Sequence, residues 1–358
     1  MKIGILTFHW AANHGAILQS YASARYLADL LPDSDVRIID YVPATQEMSF
    51  LNLLRPRHPR AMLARFKAYA KGRRLDKFRH GLPLTTRFSS AAALKRGMGD
   101  LDLAFCGSDQ IWNPAFTLHG EGGPTAVYYL DFCSERCTKA ALSVSFGCAA
   151  FPPEAAAVAH DAIAALDAVS VREEEGVQIL KDMGFSNARV VADPTSLLTT
   201  ADYEALCKNV PPCREPFAAL CILRKQNAET AALIEQVKTA VGLPVKDIEQ
   251  TGMEDWLAAI RDADRVITNS FHCTMMCLKL HTPFTVILEK NARGGMNGRF
   301  FTLLRRFGLE DTVVADKQAA QSTLFTPDWD AVDVEMERYA ATLKDYIAEV
   351  TEKAYESL

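Results

Sequence analysis

Short apolar runs alternate with amphipathic helical stretches along nearly the whole chain, and the alternation starts afresh after residue 216. This pattern admits few folds. Strands separated by helices must cross over, so they lie parallel in sheets covered by helices on both faces. In the first half, strands are expected at 3–8, 36–41, 101–106, 139–146, 168–171 and 189–192. Helices are expected at 14–31, 153–166 and 173–183. Asp193-Pro194-Thr195 breaks the pattern, and the proline-rich segment 211–216 reads as a linker. In the second half, strands are expected at 217–223, 245–249, 265–268 and 284–288. Helices start near 228, 254, 272 and 299, and residues 332–354 form one long helical pattern. A length of 358 residues fits two such units of roughly 150 residues each. Two open α/β domains facing each other bind ligands at their strand C-termini, in the groove between them.

One block departs from the alternation. Residues 55–96 hold thirteen Lys and Arg against a single acid, Asp76, in a chain of formal net charge -5. Met62, Leu63, Phe66 and Tyr69 recur there at helical spacing, with Arg65, Lys67, Lys71, Arg73 and Arg74 among and after them. A basic amphipathic helix of this kind either packs on the first domain with a solvated face or lies on an anionic membrane. The acidic total argues against general nucleic-acid binding. The nine cysteines contain no C-x-x-C pair, which disfavours a disulfide scaffold or zinc ribbon. The N-terminal apolar run is too short for a signal peptide, and no stretch reaches the ~18 apolar residues that span a bilayer. A cytoplasmic protein is expected.

Four segments carry chemistry. Asn13-His14-Gly15-Ala16 follows the first strand, where backbone N–H groups can meet an anion or simply cap a helix. No G-x-G-x-x-G occurs, so no nicotinamide or flavin cofactor is expected. Gly107-Ser108-Asp109-Gln110-Ile111-Trp112-Asn113 follows another strand. Asp109, Gln110 and Asn113 can bind hydroxyls and Trp112 can stack on a sugar; alternatively Ser108 or Asp109 caps a helix and Trp112 is core. Arg172, in Ser170-Val171-Arg172-Glu173-Glu174, suits bidentate capture of carboxylate or phosphate, or else makes a surface ion pair. The sharpest segment is Thr268-Asn269-Ser270-Phe271-His272-Cys273-Thr274. It places His272 between a strand end and a helix start, where N–H groups attract phosphate and an imidazole can move a proton. The plainer readings are a structural His272, with Cys273 and Cys277 as small buried hydrophobes.

Taken in order, these segments resemble the polysaccharide pyruvyl transferase family. The match runs through Gly4–Phe8, Asn13–Gln19, Cys106–Asn113, Val171-Arg172-Glu173, Ala192-Asp193-Pro194-Thr195 and Ile267–His272. It continues weakly through Gly298-Arg299-Phe300 to Phe307-Gly308-Leu309. The chain departs from the usual pattern at Cys273, where the family has glycine, and at Ala16-Ile17, where many members have Asp-Glu. The resemblance implies two Rossmann-like doubly wound domains facing a cleft, as in GT-B glycosyltransferases. Residues 1–205 would form the acceptor-side domain with the 55–96 insertion, 215–330 the donor-side domain, and 331–358 a helix packing back on the first domain. It also implies transfer of pyruvyl from phosphoenolpyruvate to a sugar of a polysaccharide or lipid-linked glycan precursor.

Ketal formation of that kind needs an acid for the methylene carbon, cations for the donor anion, and a base for two sugar hydroxyls. His272 is assigned to acid/base work, Arg172 to anion clamping, and Asp109 and Asn113 to the acceptor. Asn269, Ser270, Cys273 and Thr274 would surround the donor phosphate, with Asn13, His14 and Gly15 across the cleft. Arg293 and Arg299 are further anion candidates. No metal or cofactor is required by the chemistry. The basic block would hold the enzyme peripherally at the inner membrane face. Two rival readings share the cleft: a GT-B glycosyltransferase using a nucleotide sugar, and a non-catalytic glycan- or phosphate-binding protein.

Overall fold

A computed structural model describes residues 1–46, 59–223, 227–288, 297–314 and 325–358. The first sheet contains β1 (Lys2–Leu6), β2 (Asp35–Ile38), β3 (Leu103–Asp109), β4 (Thr138–Val144), β5 (Ala168–Val171) and β6 (Arg189–Val190). The second contains β7 (Ala218–Cys221), β8 (Val245–Asp247), β9 (Arg265–Thr268), β10 (Phe284–Ile287) and β11 (Val313–Val314). All pairings are parallel. The helices between and after these strands are α1 (His14–Leu30), α2 (Pro59–Arg79), α3 (Ala91–Gly97), α4 (Pro114–Thr117), α5 (Pro153–Ala164) and α6 (Glu174–Asp182). They continue as α7 (Thr200–Cys207), α8 (Ala228–Val241), α9 (Met253–Asp262), α10 (Phe271–Lys279), α11 (Gly298–Phe307) and α12 (Trp329–Glu356).

Strand order places the cleft. The first sheet runs β2-β1-β3-β4-β5-β6, so the winding reverses between β1 and β3. The second runs β11-β10-β9-β7-β8 and reverses between β7 and β9. Crossover helices leave in opposite directions at such points and open a crevice at the strand C-termini. The loops after β1 and β3 stand at the first crevice, and the loop after β9 stands at the second.

The sheets share one apolar seam. Leu18 and Leu27 of α1, Tyr203 of α7, Trp256 of α9 and Met276 of α10 belong to one buried cluster, with Leu343 and Ile347 of α12. Lys279 Nζ crosses the seam to donate to the Ser196 and Leu198 carbonyls at 3.0 and 2.8 Å. Helix α12 lies on the first sheet: Tyr346 Oη donates to the Ala141 carbonyl, and Lys353 pairs with Asp167.

The basic block resolves into two uses. Its residues 55–58 lie outside the described residues. Along α2, Lys71 pairs with Glu249, Lys77 with Glu254, and Arg74 donates to the Gln250 carbonyl, all in the second domain. Arg79 donates back to the His9 and Ala11 carbonyls of the first. Three of the thirteen basic residues that read as a solvated or membrane face, Lys71, Arg74 and Lys77, thus bridge to the second domain. Leu63 and Phe66 remain exposed on α2 beside Lys67 and Arg73. No helix among the described residues is long and apolar enough to cross a membrane.

Candidate active site

The fully buried strand β9 delivers the chain to Asn269-Ser270 at the second crevice, and α10 starts there. Ser270 caps the helix by accepting from the Cys273 N–H. Asn269 Oδ1 accepts from the Leu223 N–H at 2.8 Å, which pins the loop to the end of the β7 segment. The next turn sorts its side chains by helical phase. Cys273 and Thr274 face the core, both fully buried, with the Thr274 hydroxyl bonded to the Ser270 carbonyl. Burial pushes the Cys273 thiol well above its ordinary range, so it is an inert apolar group. His272 faces the other way, toward the first domain.

There it meets Asp193, a fully buried carboxylate on which three elements converge. Asp193 Oδ1 accepts from the Thr195 backbone N–H at 3.0 Å and hydroxyl at 2.6 Å. Its Oδ2 lies 2.8 Å from Arg172 Nη1, 3.4 Å from His272 Nε2 and 3.4 Å from the Ser108 hydroxyl. The Asp193 N–H donates to Tyr339 Oη of α12. Burial opposes ionisation of Asp193. His272, Arg172 and Thr195 together outweigh it and hold the carboxyl well below the usual carboxylate range. The Arg172 guanidinium stacks over the Phe271 ring at 4.5 Å and is also 3.6 Å from Asp109 and 3.8 Å from Glu173. Its side chain has no exposed surface. The residue that reads as an open anion clamp is therefore surrounded by three carboxylates.

The first-domain loops divide between capping, domain contact and cleft. Asn13 caps α1, accepting from the Gly15 and Ala16 N–H groups, so those donors already have a partner. His14 reaches into the second domain, stacking on Trp256 at 4.8 Å with its Nε2 3.0 Å from the Thr251 carbonyl. Burial first, and then the Lys71 charge, lower its pKa to about 3, so it is neutral. Gly15 lies against His272: a Cβ there would stand 2.1 Å from His272 Nδ1. Asp109 ends β3 in a left-handed conformation, φ 65°, and turns its carboxylate toward Arg172. Asn113 caps α4, its Oδ1 accepting from the Ala115 N–H, and its Nδ2 donates to Gln110 Oε1. Trp112 corrects the sequence reading of a sugar-stacking face. It is fully buried, donates to the Tyr128 carbonyl, and packs on Tyr129 and Phe146.

The structure thus brings together Asp109, Arg172, His272 and Gly15. Arg299 stands at the start of α11, its guanidinium 5.9 Å from the Phe271 ring centroid, close enough for its charge to act on Glu173. Arg293 lies outside the described residues. Asp193, the centre of the cluster, carries no role in the sequence reading, although Asp193-Pro194-Thr195 at a strand end marks a turn whose carboxylate points inward. Replacing Gly15 with alanine is expected to separate α1 from His272. Overpacking of this kind costs about 1–3 kcal/mol. A lowered thermal midpoint and a shifted His272 ring resonance would report it. An unmoved resonance would mean that the two residues are apart in solution.

Comparison with known proteins agrees with this architecture. The chain is similar to UDP-N-acetylglucosamine 2-epimerase from Rickettsia bellii, with a TM-score of 0.55 at 7% identity over 99% of this chain and 96% of that one. It is similar also to S. aureus MnaA, solved in a co-structure with UDP, with a TM-score of 0.50 at 9% identity over 100% and 97% of the two chains. At such identities the likeness concerns the fold, which is GT-B-like, with two Rossmann-like domains. No curated protein matches the chain significantly. The profile of the polysaccharide pyruvyl transferases covers residues 13–291, from the α1 cap through α10 and beyond, and the chain therefore belongs to that family of transferases.

Proposed function

We propose that the chain transfers a pyruvyl group from phosphoenolpyruvate to a pair of hydroxyls on a glycan precursor, forming a ketal and releasing phosphate. The observation that carries this reading is the position of His272. It stands at the N-terminal end of α10, at the winding reversal of the second sheet, and faces the winding reversal of the first. Helix N-termini favour phosphate through their open N–H groups and dipole. The same end of the helix carries an imidazole able to give a proton to the donor's methylene carbon. Arg299, across the Phe271 ring, supplies a second positive charge for the donor carboxylate. The acceptor enters from the first domain, past Asp109 and Asn113. Where that acceptor is lipid-linked, the outer face of α2 with Lys67, Arg73, Leu63 and Phe66 meets an anionic surface, at about 1 kcal/mol per basic residue in contact.

The test is phosphate release from phosphoenolpyruvate, followed by ³¹P NMR, in the presence of a panel of methyl hexosides and oligosaccharides. The expected result is acceptor-dependent release, with a product whose mass includes one pyruvate as a ketal. Release of nucleoside diphosphate from UDP- or GDP-sugars, with phosphoenolpyruvate inert, would establish nucleotide-sugar glycosyl transfer instead.

A further inference from the structure

Trp10 stands at the tip of a turn that the protein holds from three sides. The turn closes with the Ala11 N–H donating to the Phe8 carbonyl at 3.2 Å. Arg79 of α2 donates to the carbonyls on both sides of Trp10, that of His9 at 3.0 Å and that of Ala11 at 3.2 Å. The His9 ring lies 3.0 Å from Asp40 Oδ1 and 3.2 Å from the Thr7 carbonyl. Between these anchors Trp10 itself is only half-buried. Its Nε1 is covered and has no partner among the described residues, so what the side chain shows is aromatic carbon. The floor beneath it is already closed. Phe8 is 4% exposed and packs on Phe116 at 4.5 Å and on Tyr128 at 5.3 Å. Trp10 rests on Phe8 at 5.5 Å and 61°, its one ring contact among the described residues. The other tryptophans are committed elsewhere: Trp112 packs in the core, and Trp256 and Trp329 stack on His14 and His281.

Topology puts this ring beside a crevice. β1 and β3 are neighbours in the first sheet and the winding reverses between them, so the loops after both border the place where open α/β sheets bind ligands. Trp10 follows β1, and Gln110 stands at the neighbouring strand end, after β3. Asn113 Nδ2 donates to Gln110 Oε1 at 3.2 Å, which leaves the Gln110 amide nitrogen without a partner among the described residues. Gln110 is half-buried, so that nitrogen is within reach of a ligand. Phe8 touches both Trp10 and Phe116, so α4, just beyond Asn113, shares the same floor.

Aromatic carbon beside an amide donor selects the ligand. A pyranose carries C–H bonds on one face and hydroxyls around its rim. The face packs on a ring, and the rim takes hydrogen bonds. A free anion gains nothing from a carbon surface. We propose that Trp10 is the platform on which the acceptor sugar rests, with Gln110 donating to a hydroxyl at its rim. Trp10 thereby fills the role that the buried Trp112 does not. That the sugar is the acceptor rests on the pyruvyl-transfer reading; that a sugar binds at Trp10 does not. The turn is fixed before the sugar arrives, so binding orders little that was free.

The experiment uses the full chain labelled with ¹⁵N at tryptophan. The chain holds four tryptophans, and the indole N–H signal that is missing from Trp10→Phe belongs to Trp10. Methyl hexopyranosides of differing hydroxyl stereochemistry, and disaccharides of the same sugars, are titrated in, and saturation transfer from aromatic protons gives a second readout. At least one sugar should shift the Trp10 signal, with its C–H protons saturated most strongly. Trp10→Ala should bind that sugar about tenfold or more weakly, and Trp10→Phe should recover most of the affinity, because stacking needs the ring and not the N–H. Gln110→Ala should weaken binding ~5-fold, the worth of one neutral hydrogen bond. A Trp10 signal that no sugar moves, or a folded Trp10→Ala that binds as wild type does, would overturn the platform. If Trp10→Ala does not fold, the wild-type titration and its saturation pattern decide. Turnover separates the two readings. Trp10→Ala should raise the acceptor KM about tenfold and leave kcat and the phosphoenolpyruvate KM within about twofold, as loss of a contact made equally in ground and transition states requires. An unchanged acceptor KM rejects the platform and leaves pyruvyl transfer standing. A wild type that binds sugar at Trp10 but releases no phosphate from phosphoenolpyruvate fails the pyruvyl-transfer reading and leaves the platform standing.

Discussion

Replacing Arg172 with methionine should lower the unfolding free energy by about 3–5 kcal/mol, the range found when one partner of a buried ion pair is removed. Asp193 would keep its Thr195 hydrogen bonds but lose the cation 2.8 Å away, in a site with no exposed surface. The Phe271 ring would also lose the guanidinium stacked on it. The pH dependence has a definite sign. A carboxyl whose folded pKa is depressed contributes stability that is present above its unfolded value near 4 and lost as pH falls toward the folded value. The part of that stability due to Arg172 is missing in the variant. Urea melts should therefore show a wide gap between wild type and variant at pH 7 and a narrower one at pH 3. A loss below about 1 kcal/mol at pH 7 would mean that Asp193 finds other compensation.

Replacing His272 with asparagine should act on turnover and hardly on stability. General acid–base groups are worth ~10²–10⁴ in rate. The ring is nearly buried, but Asp193 remains paired with Arg172 and Thr195 without it, so no bare charge is left behind. The acceptor-dependent phosphate release assay should show kcat lowered by that factor, with a thermal midpoint within a few degrees of wild type. Full activity in a folded variant would take His272 out of the mechanism. A variant that fails to fold would assign it to packing between α10 and Gly15.

Helix α2 shows how far local reading reaches. Its basic, partly apolar pattern marks a helix, and residues 59–79 form one, but its charges leave on several sides: Lys71 and Lys77 toward the second domain, Arg79 toward the first, Lys67 and Arg73 into solvent. Composition is silent on the partner of that charge, because Glu249 is 178 residues from Lys71 along the chain. The same limit applies to Trp112. A tryptophan after a strand end of small residues reads as a sugar platform or as core, and the Tyr128 carbonyl and the Phe146 ring decide for core.

The strands β1 to β10, the longer crossover helices and the places where loops leave the sheets are legible along the chain, whereas the short helices Ala91–Gly97, Pro114–Thr117 and Thr200–Cys207 are not. Strand alternation and helical period are local properties, repeated every few residues, so β1, β3, β9 and the start of α10 are legible close to their true bounds. The two-residue strand β11 is too short to carry a period and was visible only once it paired with β10. What the loops do depends on contacts made between distant parts of the chain. Winding order brings the ends of β3 and β5 and the turn at Asp193 together, and the closing of two sheets sets His272 on top of them. Burial there converts Arg172 from a solvent-facing cation into the hub of three carboxylates. Burial and charge are sums over neighbours distant in the chain, and no periodicity along the chain records them.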